Sequence, residues 1–202
     1  MRTACFVDGY NLFYGLLAGT PYKWLDLQSL LAHILRVENP ENSLTSVSFF
    51  TSGVKPSLAS RGRLSKEAQD AYLRALIARG VDVHYGRHQL ESGKAPRFVD
   101  KNTPASRLDQ VDIWKLEEKE TDVHIAISMY RLAARQVGVM PEERIQQIVL
   151  VSADTDMTPA LRALREDFPN LRIGVILPHR EGIKGVWGAM EPKTNVSPTS
   201  SV

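Results

Sequence analysis

Five short apolar runs punctuate the chain, and between them apolar positions recur at helical spacing. Residues 3–7 (TACFV) read as a buried strand. Residues 45–50 (TSVSFF), 81–86 (VDVHYG), 147–152 (QIVLVS) and 172–177 (RIGVIL) read as four further strands. A short helix is expected in NLFYGLLAG, residues 11–19. Asp26 stands as an N-cap before LQSLLAHILRV, where Leu27, Leu30, Leu31 and Ile34 share one face. SKEAQDAYLRALIARG (65–80) is the clearest helix, with Leu73, Leu76 and Ile77 in period and Gly80 at the position just past its end. Two more helices are expected, DVHIAISMYRLAARQVG (122–138) and TPALRALRED (158–167), the second with Pro159 in its first turn. Residues 87–121 show no such period. They read as a long polar connection, a solvated loop with room for a small hairpin within it.

Strands alternating with helices imply an α/β fold, a Rossmann-like three-layer sandwich. Its central sheet is expected to be mostly parallel, with about five strands. A single domain is expected over residues 1–188. The polar, Ser-, Thr- and Pro-rich end, residues 189–202, reads as a disordered tail.

Composition narrows the classes without choosing one. The chain has 202 residues and a net charge of +2, from 25 basic and 23 acidic side chains. That balance neither requires nor excludes a nucleic-acid partner. The single cysteine, Cys5, permits no internal disulfide, and no Cys/His spacing suggests zinc. Asp8 interrupts the first apolar run, so the start does not read as a signal peptide, and no run approaches a membrane span. A cytoplasmic location and no membrane partner are the expectations. No glycine-rich phosphate loop follows the first strand, which argues against a dinucleotide cofactor.

The acids carry the chemistry. Asp8 follows strand one directly, in CFVDGYNLF, and Asp154 and Asp156 follow strand four, in VSADTDM. Asp122, in EEKETDV, opens the helix that crosses back to strand four. In parallel sheets, sites form beyond the carboxyl ends of the strands, at a switch in strand order. All four acids are expected at that edge, and they converge if strands one and four are neighbours. Each alone has a plainer use: Asp8 as a turn or cap residue, Asp154 or Asp156 as a helix cap, Asp122 against a helix dipole. Together they repel one another unless protons or a cation intervene, and hard carboxylate oxygens suit Mg²⁺ or Mn²⁺. Asn11 either holds the turn, orients Asp8 or contacts a phosphate. Gly9 is expected to let the chain turn tightly after Asp8.

FVDGYN (6–11), EEKETDV (117–123) and VSADTDM (151–157), in this order and spacing, resemble the NYN domain family of the PIN-like nuclease superfamily. The resemblance covers roughly residues 3–180. It implies a ribonuclease, specifically a Mg²⁺- or Mn²⁺-dependent endoribonuclease that attacks RNA phosphodiesters with a metal-activated water. Asp8, Asp122, Asp154 and Asp156 fall on the family's acidic positions, and Asn11 on its motif asparagine. Ser152 matches a small polar residue that orients the acids. Many relatives read SGDSDF where this chain has SADTDM, and some carry a further acid where this chain has Ser128.

RNA is therefore the expected partner, and self-association is left open. Basic residues should flank the acids. Arg87, Lys94, Arg97, Lys101, Arg107, Lys115 and Lys119 lie in the polar connection, with Phe98 and Trp114 among them. Arg61, Arg63 and Lys66 form a second set at the same edge. Asn11, Ser152, Lys119, Arg61 and Arg63 are the substrate-contact candidates. Tyr10 and Phe13 could stack a base, although core packing suits Phe13 equally. Glu117 and Glu118 read as either site residues or a solvated strip. The alternative is a catalytically inactive RNA-binding or regulatory module of the same fold.

Overall fold

A computed structural model of the chain describes residues 1–136 and 138–179. The expected domain end at residue 188 and the expected tail lie outside these residues.

The elements run β1 (Arg2–Asp8), α1 (Gly9–Leu12), a π-helical turn (Phe13–Leu17), α2 (Leu27–Glu38), β2 (Ser43–Ser52) and α3 (Arg63–Ala78). Then come β3 (Asp82–Pro96), β4 (Gln110–Lys119), α4 (Thr121–Arg135), β5 (Gln147–Val151), α5 (Thr158–Asp167) and β6 (Arg172–Ile176). The sheet order is β4-β3-β2-β1-β5-β6. β1 pairs in parallel with both β2 and β5, so it is the switch point of the sheet.

Strand parity divides the core into two layers. Cys5 and Val7 point to one face, packed with Leu27, Leu31 and Leu35 of α2 and Leu73 and Leu76 of α3. Ala4 and Phe6 point to the other, packed with Ile125 and Met129 of α4 and Leu164 of α5. Asp8 shares the parity of Ala4 and Phe6, which turns it toward the α4 face. Burial pushes the Cys5 thiol up to about 12, so it is an inert core residue.

Local signals behave as the chain suggests. Asp26 caps α2 by accepting from the Ser29 amide at 3.1 Å. Gly80 ends α3 at a φ of +80°, a left-handed position that favours glycine. Pro159 lies in the first turn of α5.

One expectation needs correction: the sheet is mostly parallel as expected, with one antiparallel pair, but it has six strands and not about five. The extra strand comes from the polar connection: residues 87–96 pair with 110–119 as a hairpin. Only Asp82–Gly86 of β3 lie in the parallel sheet, so the hairpin is an arm that projects beyond its carboxyl edge. Mostly exposed on both faces, it carries no inward apolar stripe to betray it. The helix expected at 11–19 is realised as α1 and the π-helical turn, Gly9–Leu17.

An acidic pocket and an adjoining aromatic cleft

The register of the central strands brings the first and last acidic motifs together. Val7 lies opposite Val151, so Asp8 and Ser152 leave the sheet side by side. Asp8 is 2% exposed. It caps α1: its Oδ1 accepts from the Tyr10 amide at 3.1 Å and the Asn11 amide at 3.0 Å. Its Oδ2 accepts from Asn11 Nδ2 at 2.6 Å and from Ser152 Oγ at 3.0 Å. The plain use and the site use of Asp8 thus coincide in one side chain. Burial drives its pKa up; the Asn11 amide, the Ser152 hydroxyl and the Asn11 side chain oppose that shift, and the charge of Glu118 adds to it.

Asn11 links the two loops. Besides holding Asp8, its Oδ1 accepts from the Ala153 amide at 3.3 Å. Ser152 Oγ in turn accepts from the Asp154 amide at 3.0 Å, and Asp154 Oδ1 accepts from the Asp156 amide at 2.9 Å. Asn11 and Ser152 therefore stand as braces of the acidic loop.

The hairpin delivers the middle motif. β4 descends to Lys119 beside Arg87, and α4 starts at Thr121, at the same sheet edge. Glu120 takes a left-handed φ of 78° at this junction. Strand alternation separates the two adjacent glutamates of β4. Glu117 lies between Lys115 and Lys119 in two ion pairs, which lower its pKa to about 2. Glu118 faces the other way, and its Oε1 accepts from Ser52 Oγ at 2.8 Å and Thr121 Oγ1 at 2.6 Å.

A pocket of about 200 Å³ results, lined by Asp8, Asn11, Glu118, Glu120, Asp122 and Asp154, with Tyr10 and Thr121 completing the wall. Asp122 stands at its mouth. Crowding by the protein, then repulsion from Asp154, Asp8, Glu118 and Asp156, push its pKa up to about 6. Asp156 is exposed and does not line the pocket, although its charge is felt by Asp122. Glu118 and Glu120 line it instead. Only strand parity could have singled out Glu118, and the sequence does not declare residues 110–119 a strand.

Two glycines make the approach of these segments physically allowed. A Cβ on Gly86 would stand 2.3 Å from Thr121 Oγ1 and 2.9 Å from the Lys119 carbonyl. A Cβ on Gly9 would stand 2.5 Å from the Phe49 ring. Gly9 has no positive φ, so its smallness serves close packing and not the tight turn expected from the sequence.

The donor set suits a hard divalent cation in kind, and the mutual repulsion around Asp122 is what such an ion relieves. Among the described residues, no three His, Cys, Asp or Glu side chains form a ready-made metal cage. Mg²⁺ usually keeps several waters and takes one or two carboxylates, so a cage is not required. The four hydrogen bonds to Asp8 occupy about as many lone-pair positions as a carboxylate has, which leaves Asp122 and Asp154 as the better-suited ligands.

The basic candidates separate by pairing. Arg87 pairs with Glu120, Lys94 with Asp112, Arg97 with Asp109, and Lys115 and Lys119 with Glu117. Arg63 pairs with Glu67 and Lys66 with Asp70 along α3. Arg61 instead lines a second cavity, a cleft of about 560 Å³. Tyr10 belongs to both cavities, and Ser52 lines the cleft while donating to Glu118 of the pocket.

The NYN domain model matches residues 2–183. The chain belongs to the NYN domain family. A curated relative is 6-hydroxy-3-succinoylpyridine 3-monooxygenase HspA of Pseudomonas putida, 32% identical over 199 residues. The match covers 88% of this chain and 60% of that protein. Among solved structures, a protein of unknown function from Vibrio parahaemolyticus matches with a TM-score of 0.45 and 14% identity, over 86% of this chain and 79% of that one. This NYN chain has a nuclease-like fold, and among its described residues no helix is long and apolar enough to cross a membrane.

Proposed function

We propose that this NYN protein is a divalent-metal-dependent ribonuclease acting at the pocket of Asp8, Glu118, Asp122 and Asp154. The observation that carries the reading is the meeting of these carboxylates, from three separate segments, in one cavity of about 200 Å³. Asp122 and Asp154 would hold Mg²⁺ or Mn²⁺. When bound, such an ion polarises a phosphodiester oxygen and lowers the pKa of water. Asp8, its own oxygens already engaged, fixes Asn11 and Ser152 and through them the loop that presents Asp154. Glu118, held by Ser52 and Thr121, adds negative charge at the pocket wall. The exposed Asp156 acts on the site through its field. RNA as the substrate rests on kinship with the NYN domain family.

The test is cleavage of a single-stranded RNA in Mn²⁺, with and without chelator, beside Asp122→Asn and Asp8→Asn. Cleavage that stops with chelator and falls at least ~100-fold in Asp122→Asn supports the reading, as loss of a group stabilising the transition state predicts. Chelator-resistant cleavage, or full activity in both variants, overturns it.

A second reading comes from the Pseudomonas putida relative, named as a monooxygenase of a substituted pyridine. The aromatic-lined cleft beside the acids favours it, since a small planar ring would fit there. The chain spans about 60% of that relative's length. The check is incubation with 6-hydroxy-3-succinoylpyridine, O₂ and a two-electron donor. A product carrying one oxygen atom from O₂, formed without RNA cleavage, selects this reading.

A further inference from the structure

The large cleft lies outside the acid chemistry and has its own character. Its walls include Tyr10, Phe13, Tyr14, Trp24 and Tyr72. The rings form two groups: ring centroids lie 4.6 Å apart for Tyr10 and Tyr14 and 5.1 Å for Phe13 and Tyr14, and 6.1 Å for Trp24 and Tyr72. They are not sealed into the core. Tyr14 is 57% exposed and Trp24 60%. Aromatic surface left open in a concave site is surface that a planar ligand can cover.

Cations complete the picture. Lys23, Lys55 and Arg61 also line the cleft. None of them forms an ion pair with a carboxylate of the described residues, whereas the hairpin's Arg87, Lys94, Arg97, Lys115 and Lys119 all do. Positive charge is therefore available in the cleft for an anion. At its inner end the cleft meets the acidic pocket across Tyr10. An aromatic face, unpaired cations and a neighbouring acidic pocket together match one ligand chemistry, an unstacked base with its phosphate.

We propose that this cleft is a base-binding subsite for single-stranded RNA, with nucleobases stacked on Tyr14 and on Trp24 and the adjoining phosphates held by Lys23, Lys55 and Arg61. The proposal rests on the ribonuclease reading for what lies next door, and it assigns that site a preference for unpaired RNA. A duplex keeps its bases stacked inside the helix and cannot enter the cleft.

The experiment measures binding alone, so it separates the cleft from the cleavage chemistry. A labelled 12-nucleotide single-stranded RNA and an abasic strand of equal length are titrated with the full chain, in chelator, by fluorescence anisotropy. The base-bearing strand is expected to bind about tenfold or more tightly. Tyr14→Ala and Trp24→Ala, both at exposed positions, should remove most of that difference and leave abasic binding unchanged. Lys55→Gln should weaken both strands and lower the salt slope by about one. Circular dichroism melts confirm that each variant is folded. Equal binding of the two strands overturns the proposal. So does unaltered base preference in both aromatic variants, or a duplex that binds as tightly as the single strand. A chain that shows this base preference yet never cleaves RNA keeps the cleft assignment and defeats the ribonuclease reading. A chain that cleaves without base preference does the reverse.

Discussion

Ser152 donates its hydroxyl to Asp8 Oδ2 at 3.0 Å, across 144 positions of sequence. Ser152 Oγ in turn accepts from the Asp154 amide at 3.0 Å. One small side chain therefore steadies the buried acid of β1 and sets the loop that follows β5. Losing it should harm both. Ser152→Ala is expected to cost about 1–3 kcal/mol, the range for a hydrogen bond to a buried charged group. RNA cleavage should fall as well, because Asp154 loses its anchor. Urea denaturation and a cleavage assay on the same preparation check the pair of effects. A variant with unchanged stability would mean that the Asn11 and Tyr10 contacts alone suffice for Asp8.

Asp122 is predicted to trade stability for function. Partial burial, and then repulsion from Asp154, Asp8, Glu118 and Asp156, raise its pKa. Asp122→Asn removes the charge while keeping the shape. In chelator at pH 7, the variant should be no less stable than the parent. A gain of about 0.5–1 kcal/mol is expected after discounting for solvent at the pocket mouth. For a chain of this size that is a rise in Tm of roughly 2 °C. Added Mg²⁺ should raise the Tm of the parent and leave that of the variant nearly unmoved. Calorimetry with and without Mg²⁺ decides it, and a clearly destabilised variant contradicts the repulsion argument.

The same group gives a pH dependence with a definite sign. Asp122 has a folded pKa of about 6 against an ordinary value of 3.8, so between these values the folded state binds more protons than the unfolded one. Its contribution to metal-free stability therefore rises as pH falls from 7 toward 4. Asp8, also shifted upward, acts in the same direction. Glu117 works oppositely, since its pKa is lowered to about 2 and its support fades below its ordinary value of 4.5. The signature of Asp122 is thus confined to roughly pH 4.5–7. Thermal melts across that window should show the parent gaining stability with acid and Asp122→Asn gaining less. Cleavage should run the other way, because protons compete with the metal ion for Asp122, and a higher Mg²⁺ concentration should move the decline to lower pH.

Gly86 marks where the arm leaves the sheet, with Thr121 and Ser52 pressed against it. A methyl group there would stand 2.3 Å from Thr121 Oγ1, 2.9 Å from the Lys119 carbonyl and 3.0 Å from Ser52 Oγ. Two of these three atoms contact the Glu118 carboxylate directly. Gly86→Ala is expected to destabilise the chain by about 1–3 kcal/mol through overpacking. It should also reduce cleavage, because α4 and Glu118 must shift together. By contrast, Gly93→Ala meets nothing within 4 Å on the projecting arm and serves as the control. Equal stability of the two variants would refute the packing argument.

Much of the layout was legible from residues that act locally. A buried strand needs a short apolar run, and β1 and β5 have one. Asp26, Gly80 and Pro159 announce helix boundaries because capping and left-handed geometry depend on the residue itself. The positions of Asp8 and Asp154 also follow from the sequence, since each comes directly after an apolar strand and parallel sheets open their sites at that edge. The joint presence of FVDGYN, EEKETDV and VSADTDM was enough to point to the NYN domain family, to which the chain belongs.

Tertiary structure decided what depends on partners distant in sequence. Residues 87–96 and 110–119 became strands through pairing with each other, and neither face of that arm is buried enough to impose an alternating pattern. That pairing turned Glu117 toward two lysines and Glu118 toward Ser52 and Thr121, a difference of one residue that no composition reveals. It also neutralised cations that the sequence offered as phosphate contacts, while Lys23 and Lys55, unremarkable in sequence, came to line a cleft with Arg61. Strand order did the rest. Placing β5 beside β1 set Ser152 against Asp8, because a sheet converts neighbouring strand ends into neighbouring side chains regardless of the chain length between them.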